Sequence, residues 1–265
     1  MTPIPRLSAG AGSAQNAQHR EKMEDAHSVL ENFQNNPNQG FFAVYDGHAG
    51  AHTANWCQKY FHQEFLTILD KFNPLWPIPT ILAETFIIGD KRLISQPGYD
   101  SSGSTASVVF IKSEDDGHSR TLYTANVGDS RIILCTNGRA EILSRDHNLE
   151  DKRENDRVRA NGGFIARNRV DGMLAITRAI GDSGFKPYVS SSPYTTEIKL
   201  DQSQDEFVII ATDGLWDVCD NQTAVDLIRD IDDSDKASKL LIDYAMEHGS
   251  SDNITVIVIR LSDSI

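Results

Sequence analysis

The 265-residue sequence predicts an α+β domain in which antiparallel strands form sheets and amphipathic helices lie on them as a layer. Apolar residues at spacings of three and four mark two consecutive helices, one through Ala54, Cys57, Phe61, Phe65 and Ile68, the other through Ile78, Leu82, Phe86, Gly89 and Leu93. Short apolar runs at close spacing, separated by Asp-, Asn- and Gly-containing turns, mark antiparallel strands. No internal repeat, low-complexity tract or linker interrupts the chain, so one domain is expected over 20–262, preceded by 1–19 as a loop or short edge strand.

Each element follows from its own residues. The first nineteen are rich in Gly, Ala, Ser, Asn and Gln and lack apolar periodicity. Arg20-Glu21-Lys22-Met23-Glu24-Asp25 then leads into a strand from Ala26; taken alone, it reads as a solvated charge cluster. A polar turn over 35–40 precedes the strand Phe41-Phe42-Ala43-Val44-Tyr45, which runs into Asp46-Gly47-His48. Helices follow over about 51–69 and, after the Asn73-Pro74 break and with Pro79 near its start, to about 93. Strands over 104–111, 121–127, 131–135 and 140–143 are joined by Asp115-Asp116-Gly117, Gly128-Asp129 and Asn137-Gly138, turns that imply pairing of neighbours. The charged stretch 150–161 is a solvated helix or a mobile lid, stopped by Asn161-Gly162-Gly163, and an irregular region containing Arg178 and Asp182 comes next. Strands over 195–200 and 206–212, helices over 222–231 and 236–247, and a strand over 254–261 complete the chain.

The net charge of −13 and pI near 5.0 argue against nucleic acid or an anionic membrane as partner, because both reward basic patches; cations suit the chain better. Cys57, Cys135 and Cys219 are odd in number and widely spaced, the pattern of reduced core thiols. The N-terminus lacks an apolar signal region and no run approaches the roughly 18 residues that span a bilayer, so a soluble protein of the cytoplasm or nucleus is expected.

Four strand ends carry an aspartate beside a small or polar residue: Asp46-Gly47, Gly128-Asp129, Asp213-Gly214 and Asp252-Asn253. A single Asp-Gly is a common way to end a strand. Four of them, with Glu24 and Asp25 at the start of another strand, are expected to meet at a common sheet rim. Two carboxylates about 4 Å apart repel by roughly 4 kcal/mol at an effective dielectric near 20, so their convergence calls for cations. Oxygen-rich ligation without Cys suits Mg²⁺ or Mn²⁺, and two such ions about 3.5–4 Å apart clamp a phosphoryl group and activate a shared water. These residues point to hydrolysis.

Seven ordered motifs make the resemblance specific: Arg20-x-x-Met23-Glu24-Asp25, Phe42-x-Val44-Tyr45-Asp46-Gly47-His48, Ser102-Gly103-Ser104-Thr105-Ala106, Ala125-Asn126-x-Gly128-Asp129-Ser130-Arg131, Arg178-Ala179-x-Gly181-Asp182, Asp213-Gly214-Leu215-Trp216-Asp217 and Ser251-Asp252-Asn253-Ile254-Thr255. From about Arg20 to Leu261 the chain resembles metal-dependent Ser/Thr protein phosphatases of type 2C. The resemblance implies a four-layer α-β-β-α sandwich, two packed antiparallel sheets flanked by helices. It implies that Asp46 bridges two ions, that Asp213 and Asp252 complete the first site, and that Glu24 and the carbonyl of Gly47 hold the second. Asp25 then orders a bound water, Arg20 grips the substrate phosphate through its planar fork, and His48 is the general acid. Gly47 fits this because a residue without Cβ leaves its carbonyl open. Asp129 and Asp217 match a weaker third ion in some relatives, the alternative being a structural turn.

The chain reads Asp46-Gly47-His48-Ala49-Gly50 where Asp-Gly-His-Gly-Gly is commoner, one methyl at an expected helix start that should be tolerated. Residues of about 162–196 correspond to a flap beside the cleft, expected to set substrate preference. Arg178 and Asp182 either orient the site or form an internal ion pair, and His19, His27, His52, His62, His118, His147 and His248 read as surface or packing residues. The chain stops soon after its last strand, so no C-terminal regulatory extension is expected. The expected protein is a monomer acting on phosphoproteins, without a phosphoenzyme intermediate, since no Cys-x5-Arg loop is present. The alternatives are a catalytically silent docking module, which should have lost ligands that here are all retained, and a two-metal nuclease, which the acidic charge disfavours.

Overall fold

Alternation along Phe41–Tyr45 sets the layering. Phe41, Ala43 and Tyr45 face one cluster of buried residues and Phe42 and Val44 another, as period-2 side chains of a strand buried on both faces must. All five are 0% exposed, and burying each of the larger side chains contributes about 1.5–3 kcal/mol, so this strand is covered on both faces.

The computed structural model describes residues 7–114 and 119–261. The first six residues, the expected turn Asp115-Asp116-Gly117, His118 and the last four positions lie outside the described residues. In chain order the first elements are β1 (Ser8–Ala14), β2 (Ala26–Glu31), β3 (Gly40–Tyr45), the short β4 (Gly47–His48), α1 (His52–Phe72) and α2 (Ile78–Ile94). Next come β5 (Gly103–Ser104), β6 (Ala106–Ser113), β7 (Arg120–Val127), β8 (Arg131–Thr136), β9 (Arg139–Ile142) and α3 (Lys152–Ala160). After these stand the short β10 (Ile165–Ala166), β11 (Arg169–Val170) and β12 (Ile180–Gly181), then β13 (Tyr194–Lys199), β14 (Asp205–Ala211), α4 (Asp213–Trp216), α5 (Asn221–Ile228), α6 (Ser234–Glu247) and β15 (Ile254–Arg260).

Two five-stranded antiparallel sheets result, ordered β1-β15-β14-β8-β9 and β13-β7-β6-β3-β2. Phe42, Val44, Val109 and Leu122 of the second sheet meet Ile132, Leu134, Val208, Ile210 and Ile257 of the first, forming the inter-sheet core. Helices α1 and α2 cover the outer face of the second sheet through Cys57, Phe61, Phe65, Leu82 and Phe86. Helices α5 and α6 cover the outer face of the first through Val225, Ile228, Leu241 and Ala245, completing the α-β-β-α sandwich. Cys57, Cys135 and Cys219 are all buried free thiols. No helix among the described residues is long and apolar enough to cross a membrane.

Two local readings need correction. The Gly128-Asp129 turn does not join a hairpin: β7 pairs with β6 and β13, and β8 with β14 and β9, so this turn carries the chain from one sheet to the other. Gly128 makes the crossing at φ +88°, where a Cβ would lie 2.5 Å from Thr105 Cγ2. Ala49 is not at a helix start; it sits at φ 56° in the turn before α1, a left-handed conformation costing an alanine about 1–2 kcal/mol.

The stretch 8–14 forms a full edge strand along the whole length of β15, from Ser8↔Arg260 to Ala14↔Ile254. The segment 150–161 is a helix: Asp151 caps it by accepting from the Arg153 N–H at 2.8 Å, and Glu154 anchors it in the interior. Leu149, Val158, Val170, Ile176, Ala179 and Val189 form a small separate core within residues 149–189.

Candidate metal centre and cleft

Sheet ends bring the acidic residues together. Asp46 lies between β3 and β4, Asp129 in the crossing between β7 and β8, Asp213 directly after β14 and Asp252 just before β15, while Glu24 and Asp25 precede β2. Neighbouring antiparallel strands start and end at one rim, so all six arrive at the same end of the sandwich. Carboxylate oxygens of Asp46, Asp129 and Asp213 lie within 4.8 Å of one another. A cleft of about 250 Å³ is lined by these three with Arg20, Glu24, Gly47, His48 and Asp252. Asp25 lies behind the cleft, 8% exposed, its Oδ2 accepting from Thr212 Oγ1 at 3.1 Å. Asp217 follows α4 with its N–H on the Asp213 carbonyl at 2.9 Å and does not line the cleft.

Backbone fit explains why these positions are so fixed. Thr105 holds Asp46 from both sides, donating its N–H to the Asp46 carbonyl at 2.9 Å and accepting the Asp46 N–H on Oγ1 at 3.1 Å. Packing also requires a glycine at position 47: a Cβ there would stand 2.3 Å from the Glu24 carbonyl oxygen. Gly214 likewise leaves no room, since its Cβ would meet the Asn253 carbonyl oxygen at 2.0 Å, which lets Asp213 sit beside the β15 start.

Burial followed by mutual repulsion raises the carboxyl pKa values. Asp129 is pushed up to about 8 by burial, then by Asp213; Asp25 to about 7 by burial, then by Asp213 and Asp252 among the charges; Asp213 to about 6 by burial, then by Asp252 and Asp217. Asp46 is raised well above the carboxylate range by burial, then by Asp213, Asp25, Asp129 and Asp252. Two buried oxygens, Asp213 Oδ1 and Asp25 Oδ1, have no hydrogen-bond partner among the described residues. Unpaired buried acceptors in a cluster of repelling carboxylates are what a hard divalent cation satisfies, so this donor set fits Mg²⁺ or Mn²⁺.

Arg20 is half-exposed at the cleft, its guanidinium paired with the Asp252 carboxylate and donating Nε–H to the Ser251 carbonyl at 3.2 Å. Among the described residues His48 is the one histidine that lines the cleft, and its Nε2 meets Asp182 Oδ2 at 2.8 Å. Asp182 therefore touches the site, whereas Arg178 forms an internal ion pair with Glu154 at 2.5 Å. His147 is fully buried in packing, its pKa pushed to about 3 by burial. From the flap, Arg169, Leu174, Ala175 and Ile176 line the cleft.

Two supporting residues carried no separate signal in the sequence. Asn253 donates Nδ2 to the carbonyls of Gln15 at 2.8 Å and Lys22 at 3.0 Å and accepts the Glu24 N–H at 2.8 Å, tying the loop with Arg20 and Glu24 to the β15 start. Thr105 links Asp46 to the sheet crossing through Ser130, hydroxyl to hydroxyl at 2.7 Å. An asparagine after an aspartate and a threonine among serines are common loop residues, and only their tertiary partners distinguish them.

Residues 9–254 match the family model described as protein phosphatase 2C. The chain belongs to the protein phosphatase 2C family. It is 42% identical over 254 residues to protein phosphatase 2C homolog 1 of Schizosaccharomyces pombe, covering 96% of this chain and 73% of that one. The Saccharomyces cerevisiae protein of the same name is 41% identical over 266 residues, covering 95% of this chain and 92% of its own. Among solved structures, a Caenorhabditis elegans sex determining protein superposes with a TM-score of 0.87 at 25% identity over 99% of this chain and 66% of that one. A Toxoplasma gondii phosphatase reaches 0.83 at 23% identity over 99% and 95%, a likeness of fold. Family members are metal-dependent Ser/Thr phosphatases, so the chain is a hydrolase of phosphoric monoesters, and its acidic cluster offers metal-binding groups.

Proposed function

We propose that this chain is a Mg²⁺- or Mn²⁺-dependent protein phosphatase that releases phosphate from phosphoserine and phosphothreonine by direct attack of water. The approach of Asp46, Asp129 and Asp213 to within 4.8 Å, in a cleft that also holds a histidine and an arginine, supports this reading most strongly. Asp46, Asp213 and Asp252 would hold one ion, and Asp46 with Glu24 and the Gly47 carbonyl would hold a second. When bound, the ions offset charge on the phosphoryl oxygens and lower the pKa of water.

The chain's own side chains do the rest. Asp25, behind Asp213 and hydrogen-bonded to Thr212, orients a water from outside the ligand set. Arg20, its guanidinium at the rim beside Asp252, binds the phosphate. His48 donates a proton to the departing serine or threonine oxygen. Asp129 is the candidate for a third ion together with Asp217, one helical turn from Asp213. The flap, with Arg169 and Leu174 at the cleft, meets the polypeptide around the phosphorylated residue.

Asp213→Asn should lower turnover of p-nitrophenyl phosphate and of a phosphothreonine peptide by at least about 10²-fold, while circular dichroism and the melting transition stay those of a folded protein. Near-normal turnover of that variant at saturating Mn²⁺ would refute the ligand assignment. We further propose a monomer of the cytoplasm or nucleus, a reading supported by the odd, dispersed cysteines. Light scattering at micromolar concentration should give the mass of one chain, and a dimer mass would overturn it; a fluorescent fusion seen only in a secretory compartment would overturn the location.

A further inference from the structure

We infer that Asp182 is the positioning residue of His48, fixing the imidazole so that its Nδ1 side delivers the proton to the departing oxygen. The inference rests on the reading of His48 as general acid. His48 lines the cleft with its side chain 26% exposed, whereas the Asp182 side chain is 3% exposed and stands behind it, Oδ2 at 2.8 Å from Nε2. With Nε2 taken, Nδ1 is the ring nitrogen left for substrate.

The pair is built into a sheet of its own. In the three-stranded sheet β12-β5-β4, His48 pairs with Gly103 from one side and Gly181 pairs with Gly103 from the other. A Cβ at Gly103 would lie 2.1 Å from His48 Nε2 and 2.3 Å from Asp182 Oδ2, so the glycine is the floor on which the contact forms. Asp182 adopts φ 52°, left-handed for a residue with a side chain, and its N–H donates to the Ser102 carbonyl at 3.1 Å. Behind it, the Gly181 N–H donates to Asp90 Oδ1 at 2.7 Å, and Asp90 Oδ2 pairs with Lys186 Nζ at 3.2 Å, so helix α2 braces the carboxylate's backbone. Among the described residues, the ring that faces the cleft is the hydrogen-bond partner of the Asp182 carboxyl group.

In the step served, water attacks phosphorus and loses a proton to solvent. The bond from phosphorus to the serine or threonine oxygen breaks with its electron pair on that oxygen. The oxygen takes the proton from His48, giving alcohol and inorganic phosphate, and solvent reprotonates the ring. An alkoxide leaving group needs that proton far more than p-nitrophenolate does, so a misplaced ring penalises the two substrates unequally.

Steady-state kinetics of the full chain on a phosphothreonine peptide and on p-nitrophenyl phosphate should show this. For Asp182→Asn, kcat on the peptide should fall about 10- to 100-fold with KM within twofold, and the loss on p-nitrophenyl phosphate should be several times smaller. Gly103→Ala should give the same split, and the downfield imidazole N–H proton resonance of the wild type should be lost in Asp182→Asn. His48→Ala is measured alongside. If it shows the split and Asp182→Asn and Gly103→Ala lose both substrates equally, Asp182 is structural and the inference fails while the acid assignment stands. If His48→Ala itself shows no split, the general-acid reading beneath it fails.

Discussion

A single aspartate here carries different weight in the fold and in the open chain. Asp213, Asp25 and Asp129 keep their protons up to about 6, 7 and 8, against 3.8 when exposed, because burial and neighbouring carboxylates disfavour the charged form. Between those limits the folded chain binds more protons than the unfolded one, so ion-free stability falls as pH rises from about 4 to 8 and is restored on acidification. The melting temperature in chelator at pH 5 should exceed that at pH 8. Asp129→Asn should flatten the slope and raise the ion-free value at pH 8 by a few degrees, about 2–4 °C for each kcal/mol in a chain of this size. A melting temperature that climbs with pH in chelator would contradict the raised carboxyl values. Most of these residues were legible as strand-end aspartates, because a turn residue after an apolar run is a local signal. What the sequence does not show is distance: Asp129, matched with Asp217 to a weaker third ion or a structural turn, has its carboxylate within 4.8 Å of those of Asp46 and Asp213, and the contact of Asp182 with the His48 imidazole has no local signal.

Elements were readable where one face is apolar and unreadable where packing demands small side chains. Helices α1 and α2 follow the 3.6 period of the sequence, and strands β3, β7, β14 and β15 its short apolar runs. Strand β1, Ser-Ala-Gly-Ala-Gly-Ser-Ala, has no such pattern because α6 lies directly on it: a Cβ on Gly10 would stand 2.2 Å from the backbone of Ser234 and Asp235. The β7–β8 crossing looked like a hairpin because a Gly-Asp turn reads the same whether the strands pair or part. Helix α3 looked wholly solvated because its anchor is a charged residue. Glu154, its side chain 4% exposed, accepts from Arg157, Arg178 and Thr177 and joins the helix to the flap. Removing one partner of a buried pair costs about 3–5 kcal/mol, so Glu154→Ala should loosen the flap core before the sandwich. Amide exchange should quicken over 150–190 while β3, β6 and β15 keep their protection; uniform acceleration would show that the flap is not a separate unit.

At the scale of the molecule, two sheets packed through Phe42, Val109, Ile132 and Ile210 set strand ends from distant parts of the sequence at one rim, and the sandwich holds their repulsion in place. A few of its 38 acidic residues, Asp46, Asp129 and Asp213 among them, are thereby held within 4.8 Å of one another. The four layers were foreseeable because helix and strand periods alternate along the chain, and the family's motifs lie where those layers end. The most direct test is calorimetric titration of Mn²⁺ into the chelator-stripped full chain. Two tight equivalents should bind in the wild type, and Asp46→Asn, which removes the carboxylate proposed to serve both ions, should abolish tight binding of at least one. Binding of no tight equivalent, or binding unchanged by Asp46→Asn, would contradict the account.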